Sequence, residues 1–217
     1  MLRSAPKRLL ASLCLCGVLL AAAPAGLWLD VPFIQQEKEG CGAASAAMVM
    51  QYWLKQQAKQ PNADADARQI QRVLYSRPGH GIYASDLESY LQQHGFRTFA
   101  FNGTWDDLKQ HLEKGRPLIA ALKPAGGKAP LHYVVVVGLD AERSSERSSK
   151  QSSEQSSEPD IVLLNDPAQR KLLKQARSTF EKQWSATGRW LLLAVPQSGS
   201  QPQPAPQPGS EAESKSR

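Results

Sequence analysis

Cysteine is scarce in this sequence, and that scarcity limits what the chain can be. Only three cysteines occur in 217 residues, and Cys14 and Cys16 lie in an apolar N-terminal segment that we expect to be removed. Cys41 then has no partner for an intramolecular disulfide, so a small disulfide-stabilised scaffold is excluded. A single cysteine in an exported protein is either free and reactive or bonded to another molecule.

A dense run of basic residues is also missing. The net charge of the whole chain is +6, and loss of Arg3, Lys7 and Arg8 with the N-terminal segment lowers it by three, to +3. The remaining basic residues are spread along the chain without interleaved aromatic residues. We therefore expect no nucleic-acid partner.

The N-terminus carries the longest apolar run. Three basic residues precede the apolar residues 9–23, and residues 23–25 read Ala-Pro-Ala, an A-x-A cleavage site. This pattern predicts a secretory signal peptide over residues 1–25 and a secreted or periplasmic mature protein. The apolar run also extends to about residue 29, close to the ~20 residues that span a bilayer, so an uncleaved membrane anchor stays open as an alternative.

Two later segments have few or no apolar residues. Residues 144–159 repeat a Ser-Ser-charged unit with no apolar residue, and residues 196–217 are rich in Pro, Gln and Ser. Segments that cannot bury apolar surface stay solvated. We predict a low-complexity loop insertion and a disordered tail, which leaves one folded domain over residues 28–195.

The order of apolar patterns predicts the fold class. Residues 43–54 are almost all small or apolar, which indicates a helix buried on most sides. Further helices are expected at about residues 67–75, 85–95 (with Ser85 and Glu88 as a capping box) and 104–115. An edge strand is expected near residues 27–34, and others at 96–101, 117–122, 132–139, 161–165 and 190–195, with a last helix at 179–185. Helices first and mostly strands afterwards predict an α+β domain, its cysteine-bearing helix packed on an antiparallel sheet.

Cys41 stands where a nucleophile would be placed. It begins the buried helix between Gly40 and Gly42, which allow close backbone approach. Unpaired N–H groups and the positive end of the helix dipole favour a thiolate at this position. A buried structural cysteine is the alternative reading of the local sequence.

A histidine and a carboxylate occur at the ends of two predicted strands. His132 begins one strand, and Asp166 ends the next, where Pro167 forces a turn. Adjacent antiparallel strands would bring the two side chains together. An imidazole activates a thiol, and a carboxylate orients the imidazole and supports its positive form.

An acyl-transfer site also needs donors for the charge that develops on the attacked carbonyl oxygen. The Cys41 backbone N–H and a side-chain amide upstream, from Gln35 or Gln36, could supply them. The histidines and Cys41 lack the spacing of a metal site, so no metal or other cofactor is expected.

These segments together resemble the C39-like peptidases, a family of papain-like cysteine peptidases that includes bacteriocin-processing domains of ABC exporters. The similar segments are residues 31–36, 40–48, 132–138 and 165–167. The resemblance implies a papain-like fold and a peptide or protein substrate. It also implies that Cys41 is the nucleophile, His132 the general base, Asp166 the orienting acid and Gln35, six residues before the cysteine, the oxyanion donor.

The chain departs from the family pattern in one place and leaves two other functions open. Gly40 stands where an aspartate often precedes the cysteine. Exporter-fused members cut after double-glycine leaders in the cytosol, so that specificity is not carried over to a chain expected to be exported. Besides peptide hydrolysis, a papain-like acyl or peptidyl transferase of the phytochelatin-synthase type and an inert peptide-binding module remain alternatives.

Overall fold

The computed structural model describes residues 26–123, 130–140 and 160–197. The predicted signal peptide, the Ser-rich insertion at 144–159 and all but the first two residues of the predicted tail lie outside these ranges. Within them, no helix is long and apolar enough to cross a membrane. The helices are α1 (Cys41–Gln56), α2 (Ala67–Leu74), α3 (Ala84–Gln93), α4 (Trp105–Glu113) and α5 (Arg177–Ser185), with a 3₁₀ turn at Ala63–Ala65. The strands are β1 (Leu27–Trp28), β2 (Phe96–Asn102), β3 (Leu118–Leu122), β4 (His132–Asp140), β5 (Ile161–Asp166), β6 (Arg170–Ala176) and β7 (Trp190–Pro196).

The strands form one antiparallel sheet that runs β2-β7-β3-β4-β5-β6, with β1 paired to β4. Strands β3, β4 and β5 are buried along almost their whole length, because helices cover both faces of the sheet. The predicted α+β architecture, with the cysteine-bearing helix on an antiparallel sheet, is confirmed.

Alternation along β4 divides the core into two layers. Tyr133, Val135 and Val137 pack with α1, α2 and α3, whereas Val134 and Val136 pack with α4 and α5. This follows from the period of two along a strand, which sends successive side chains to opposite faces.

Helix α1 lies against the first of these layers with small side chains. Ala43, Ala46 and Ala47 are at most 1% exposed. Their methyl groups let the helix backbone come close to the sheet, and α1 begins at the level where β4 begins. The small-residue pattern that predicted a buried helix therefore also brings the first residue of α1 next to the first residue of β4.

Three sequence expectations need correction. Ser85 does not cap α3, because the helix already begins at Ala84 with Tyr83 in the extended N-cap position, and the Ser85 hydroxyl turns to Asp86. The early edge strand is only two residues long, and Pro32 lies beyond its end. Strand β6 was not expected, because its sequence Arg-Lys-Leu-Leu-Lys-Gln-Ala is mostly polar and it lies at the open edge of the sheet.

Candidate active site

Cys41 is the first residue of α1, and its surroundings depend on two neighbouring glycines. Gly40 is the N-cap, and no side-chain cap satisfies the first backbone N–H groups of the helix. Gly42 packs closely against Ile82 and Tyr133: a Cβ at this position would lie 3.3 Å from Ile82 and 3.4 Å from Tyr133. The close packing brings the start of the helix to within contact of β4.

Strands β4 and β5 bring His132 and Asp166 together, as their predicted adjacency requires. The two strands pair antiparallel, and Nε2 of His132 lies 2.8 Å from Oδ1 of Asp166. The histidine is half-buried, and Asp166 is only 4% exposed. The other bonds to the carboxylate come from the turn that follows it: the Ala168 backbone N–H donates to Oδ1 at 2.9 Å, and the Gln169 side chain donates to Oδ2.

The titration of the three groups is coupled. Burial of the Cys41 thiol opposes its ionisation, but hydrogen bonds from the His132 ring and from the backbone N–H of Tyr133 and Gly42 lower the pKa of Cys41 below its ordinary value. Burial of the His132 ring likewise opposes its charged form, but the bonds to Asp166 and to Cys41 raise the pKa of His132 to about 9. The pKa of Asp166 is lowered, since the bonds it accepts outweigh its burial. The favoured state between the two pKa values is a thiolate beside an imidazolium.

The two glutamines differ in their surroundings. Gln35 is exposed, whereas the Oε1 atom of Gln36 is buried without a hydrogen-bond partner among the described residues. Both lie, with Gly40, along one cavity of about 320 Å³ beside the first turn of α1. The Gln36 backbone N–H donates to the Pro167 carbonyl oxygen at 2.9 Å, so the glutamine segment is tied to the turn that carries Asp166.

Among the described residues, no cluster of three or more His, Cys, Asp or Glu side chains could hold an ion. Cys41 is a free thiol, half-buried at the site.

Cys41 begins a buried helix, and His132 and Asp166 lie on the adjacent sheet. The model of the Peptidase_C39 like family matches residues 28–191. The chain belongs to the Peptidase_C39 like family. None of the curated protein sequences compared with it matches.

Solved structures show the same fold as this C39-like domain. A C39-like peptidase from Bacillus anthracis has 18% identity and a TM-score of 0.55, over 80% of this chain and 99% of that chain. The peptidase domain of Streptococcus ComA, a bifunctional ABC transporter of a quorum-sensing pathway, has 19% identity and a TM-score of 0.51, over 76% and 98% of the chains. A double-glycine-motif protease from an AMS/PCAT transporter, solved with its leader peptide, has 20% identity and a TM-score of 0.51, over 78% and 94%.

The sequence did not predict the contacts of Glu39 that hold the loop leading into Cys41. Glu39, two residues before the nucleophile, has a φ of 56°. Its carboxylate accepts a hydrogen bond from the Tyr75 hydroxyl and lies 3.3 Å from Nδ1 of His80. The Tyr75 hydroxyl lowers the pKa of Glu39 and thereby favours its charged form. Because these contacts join residues 36 and 41 positions apart, no local pattern in the sequence signals them.

Replacing Asp166 with alanine is expected to lower the pKa of His132 from about 9 towards its ordinary value of 6.5. The variant removes both the hydrogen bond and the negative charge that favour the imidazolium. In the wild type, the pKa of His132 is higher in the folded state than in the unfolded state, so protonation of the ring stabilises the fold. This stabilisation is fully present below pH 6.5 and is lost as the pH rises through about 9. An NMR titration of the ring C–H signals measures the shift, and the small number of histidines, four in the chain, makes assignment simple.

An Asp166→Asn variant is the matched control for this titration. The amide oxygen still accepts a hydrogen bond from Nε2, but the charge is gone, so an intermediate pKa is expected. An unchanged His132 pKa in the alanine variant would show that Asp166 does not support the charged ring.

Proposed function

We propose that this C39-like domain is a cysteine peptidase that hydrolyses peptide bonds through Cys41, His132 and Asp166. The observation that carries the proposal is the continuous chain of hydrogen bonds from the thiol to the imidazole and on to the buried carboxylate. A structural cysteine would need neither a raised histidine pKa nor a lowered thiol pKa. Perturbed titration of this kind, at the start of a helix, is typical of a nucleophile.

In the proposed reaction, the Cys41 thiolate attacks the carbonyl carbon of a peptide bond. The C–N bond then breaks, and the His132 imidazolium gives its proton to the leaving amine, so that a thioester and a neutral imidazole remain. A water molecule attacks the thioester and gives a proton to His132, and the carboxylic product leaves as the thiolate and imidazolium are restored. Asp166 holds the ring through Nε2, which leaves Nδ1 to face the sulfur.

The oxyanion of each tetrahedral intermediate would be bound by the Cys41 backbone N–H and the side-chain amide of Gln35. The first belongs to the uncapped start of α1. Gln35 lies in the loop held by the bond from Gln36 to Pro167 and is exposed, so its amide can turn into the cleft. Each donor of this kind contributes about 3 kcal/mol to transition-state stabilisation in well-studied hydrolases.

The proposed substrate is a peptide or a protein met outside the cytosol. The AMS/PCAT protease of similar fold was solved with a leader peptide, which supports an extended peptide as the kind of ligand. The N-terminal signal pattern supports export to a secreted or periplasmic location, with membrane anchoring as the alternative if residues 1–25 are retained.

The test is the rate of Cys41 alkylation by iodoacetamide as a function of pH. Well below its pKa of about 8.5, an ordinary thiol such as glutathione holds little thiolate and reacts slowly. The lowered pKa of Cys41 predicts that this protein still reacts rapidly in that pH range. Mass spectrometry of the mature chain reports the extent directly, because it holds one thiol. A pH profile that matches glutathione would contradict the proposal.

Product analysis then separates the three functions. Incubation with denatured protein should give new carboxyl termini in water. Products that form only with an added amine would identify a transferase, and peptide binding without any product would identify a binding module.

A further inference from the structure

An open apolar pocket of about 350 Å³ is lined in part by Tyr133, the residue whose backbone N–H donates to Cys41. Its apolar walls come from four separate parts of the chain: Ala84 on α3, Ala121 on β3, Leu131 and Tyr133 around the start of β4, and Trp190 on β7. Leu131 is 46% exposed. Covering its side chain with an apolar ligand group would remove apolar surface from water, which is favourable. The volume lies within the range of ordinary ligand sites.

The polar groups of this pocket have little left to offer a ligand. The Thr187 hydroxyl lies 2.7 Å from the carbonyl oxygens of both Ala121 and Trp184, so its one proton is already used. Lys123 is the one charged side chain among the described residues that line the pocket. An apolar group therefore fits, and a basic group is disfavoured.

Tyr133 connects the pocket to the reacting sulfur. Its backbone N–H donates to Cys41, while its ring lines the pocket and lies 5.7 Å from the Trp190 ring, centroid to centroid. A single residue, Tyr133, thus contacts both the pocket and the sulfur atom that would form the thioester. A peptide held at the sulfur would therefore have the Tyr133 wall close to the bond that is attacked.

The position of the pocket across the sheet indicates which side of the substrate enters it. Residues Ala121 and Tyr133 pair between β3 and β4, so the pocket lies on the β3 side of His132. Asp166 and the glutamine segment tied to Pro167 lie on the β5 side. If the carbonyl oxygen points to the oxyanion donors and the leaving nitrogen to His132, the third substituent of the planar carbonyl points away from both, towards the pocket.

We infer that this pocket is a specificity site that takes an apolar side chain on the acyl side of the cleaved bond, within two residues of it. The inference rests on the proposed peptidase function and names its substrate class. A glycine would leave about 350 Å³ unfilled, so the preferred substrates differ from the double-glycine motif named for the AMS/PCAT protease.

Peptidyl chloromethyl ketones that alkylate Cys41 test the inference. Two series carry Gly, Leu, Phe or Lys, one at the residue next to the reactive ketone and one at the residue before it. At one of these positions, inactivation by Leu or Phe should be about tenfold faster than by Gly, the discrimination expected when a pocket is filled by an apolar group. Lys should give no such gain.

A pocket-filling variant and a matched control make the test specific. Ala84→Phe should abolish the advantage of Leu and Phe over Gly, because the added ring fills the pocket. Ser85→Phe adds the same ring at the exposed neighbouring position, outside the pocket, and should keep the advantage. Equal rates for Gly and Leu at both positions in the wild type, or an advantage that survives in Ala84→Phe, would overturn the inference.

This outcome is distinguishable from failure of the proposed function. The ratio between Leu and Gly probes can be measured even if Cys41 behaves as an ordinary thiol. The iodoacetamide profile, in turn, reports the thiolate whatever the pocket binds.

Discussion

Replacing His132 with alanine is expected to slow alkylation of Cys41 at pH 6 by about 100-fold, because a thiolate fraction falls tenfold for each unit by which the thiol pKa rises above the pH. In the wild type, the hydrogen bond and charge of His132 lower the pKa of Cys41 against the effect of burial. Without the ring, burial remains and raises the pKa. Alkylation should then become fast only at alkaline pH.

The same variant should lose peptide hydrolysis by a larger factor than it loses alkylation. Iodoacetamide needs only the thiolate, whereas hydrolysis also needs the imidazolium proton for the leaving amine and the neutral ring for the attacking water. Proton transfer of this kind contributes about 10²–10⁴-fold to rate. At a pH where both proteins hold a full thiolate, the alkylation rates should converge.

His111→Ala is the control for this experiment. His111 lies on α4, away from Cys41, where burial lowers its pKa. Its removal should leave the alkylation profile unchanged, and urea unfolding of both variants checks that each is folded. A His132→Ala protein that alkylates at pH 6 as fast as the wild type would remove the basis for a Cys–His pair.

The wild-type activity should follow the population of the ion pair. It should rise as the pH passes the lowered pKa of Cys41 and fall again as the pH passes about 9, where His132 loses its proton. A coupled pair titrates in steps that belong to both groups, so the two limbs of the profile describe the pair.

The central part of the fold could be predicted because its physics is local. The alanine-rich sequence of α1 has no polar face, so its burial against the rest of the core could be predicted. Continuous Val and Leu runs, as in β4, occur in strands covered on both faces. Once β4 and β5 are consecutive antiparallel strands, the start of one lies beside the end of the other, which explains why the pairing of His132 with Asp166 could be predicted from the sequence.

Other features depend on contacts that the sequence order conceals. Strand β6 is an edge strand whose alternate residues face water, so it lacks the apolar signature on which the prediction relied. The pocket beside Cys41 is assembled from four separate parts of the chain. Its existence could not be read from the sequence.

Asn165 shows how a buried polar residue holds the site together. It is fully buried at the end of β5, directly before Asp166. Its Nδ2 donates to the Val31 carbonyl oxygen at 3.2 Å, and its Oδ1 accepts from the Leu172 backbone N–H at 3.1 Å. The side chain therefore joins the N-terminal segment that leads to Gln35 to the β5–β6 hairpin that carries Asp166, at the point where the pairing of that hairpin shifts register.

Asn165→Ala is expected to lower the free energy of unfolding by about 2–4 kcal/mol, since the buried Val31 carbonyl and the partly buried Leu172 N–H both lose this partner, at about 1–3 kcal/mol each. Urea unfolding followed by tryptophan fluorescence measures this loss. Asn102→Ala, the same substitution at an exposed position of β2, should change stability by less than about 0.5 kcal/mol.

The consequence for catalysis distinguishes Asn165 from an ordinary core residue. Under conditions where the Asn165→Ala protein is fully folded, alkylation of Cys41 should stay near the wild-type rate, because α1 and β4 are untouched. Hydrolysis should fall, because the segment that carries Gln35, the proposed oxyanion donor, is released from Val31 onwards and no longer holds this residue near the cleft. Equal losses in alkylation and hydrolysis would instead indicate that the whole site is disturbed, and no loss in either would show that the glutamine segment is held by its bond to Pro167 alone.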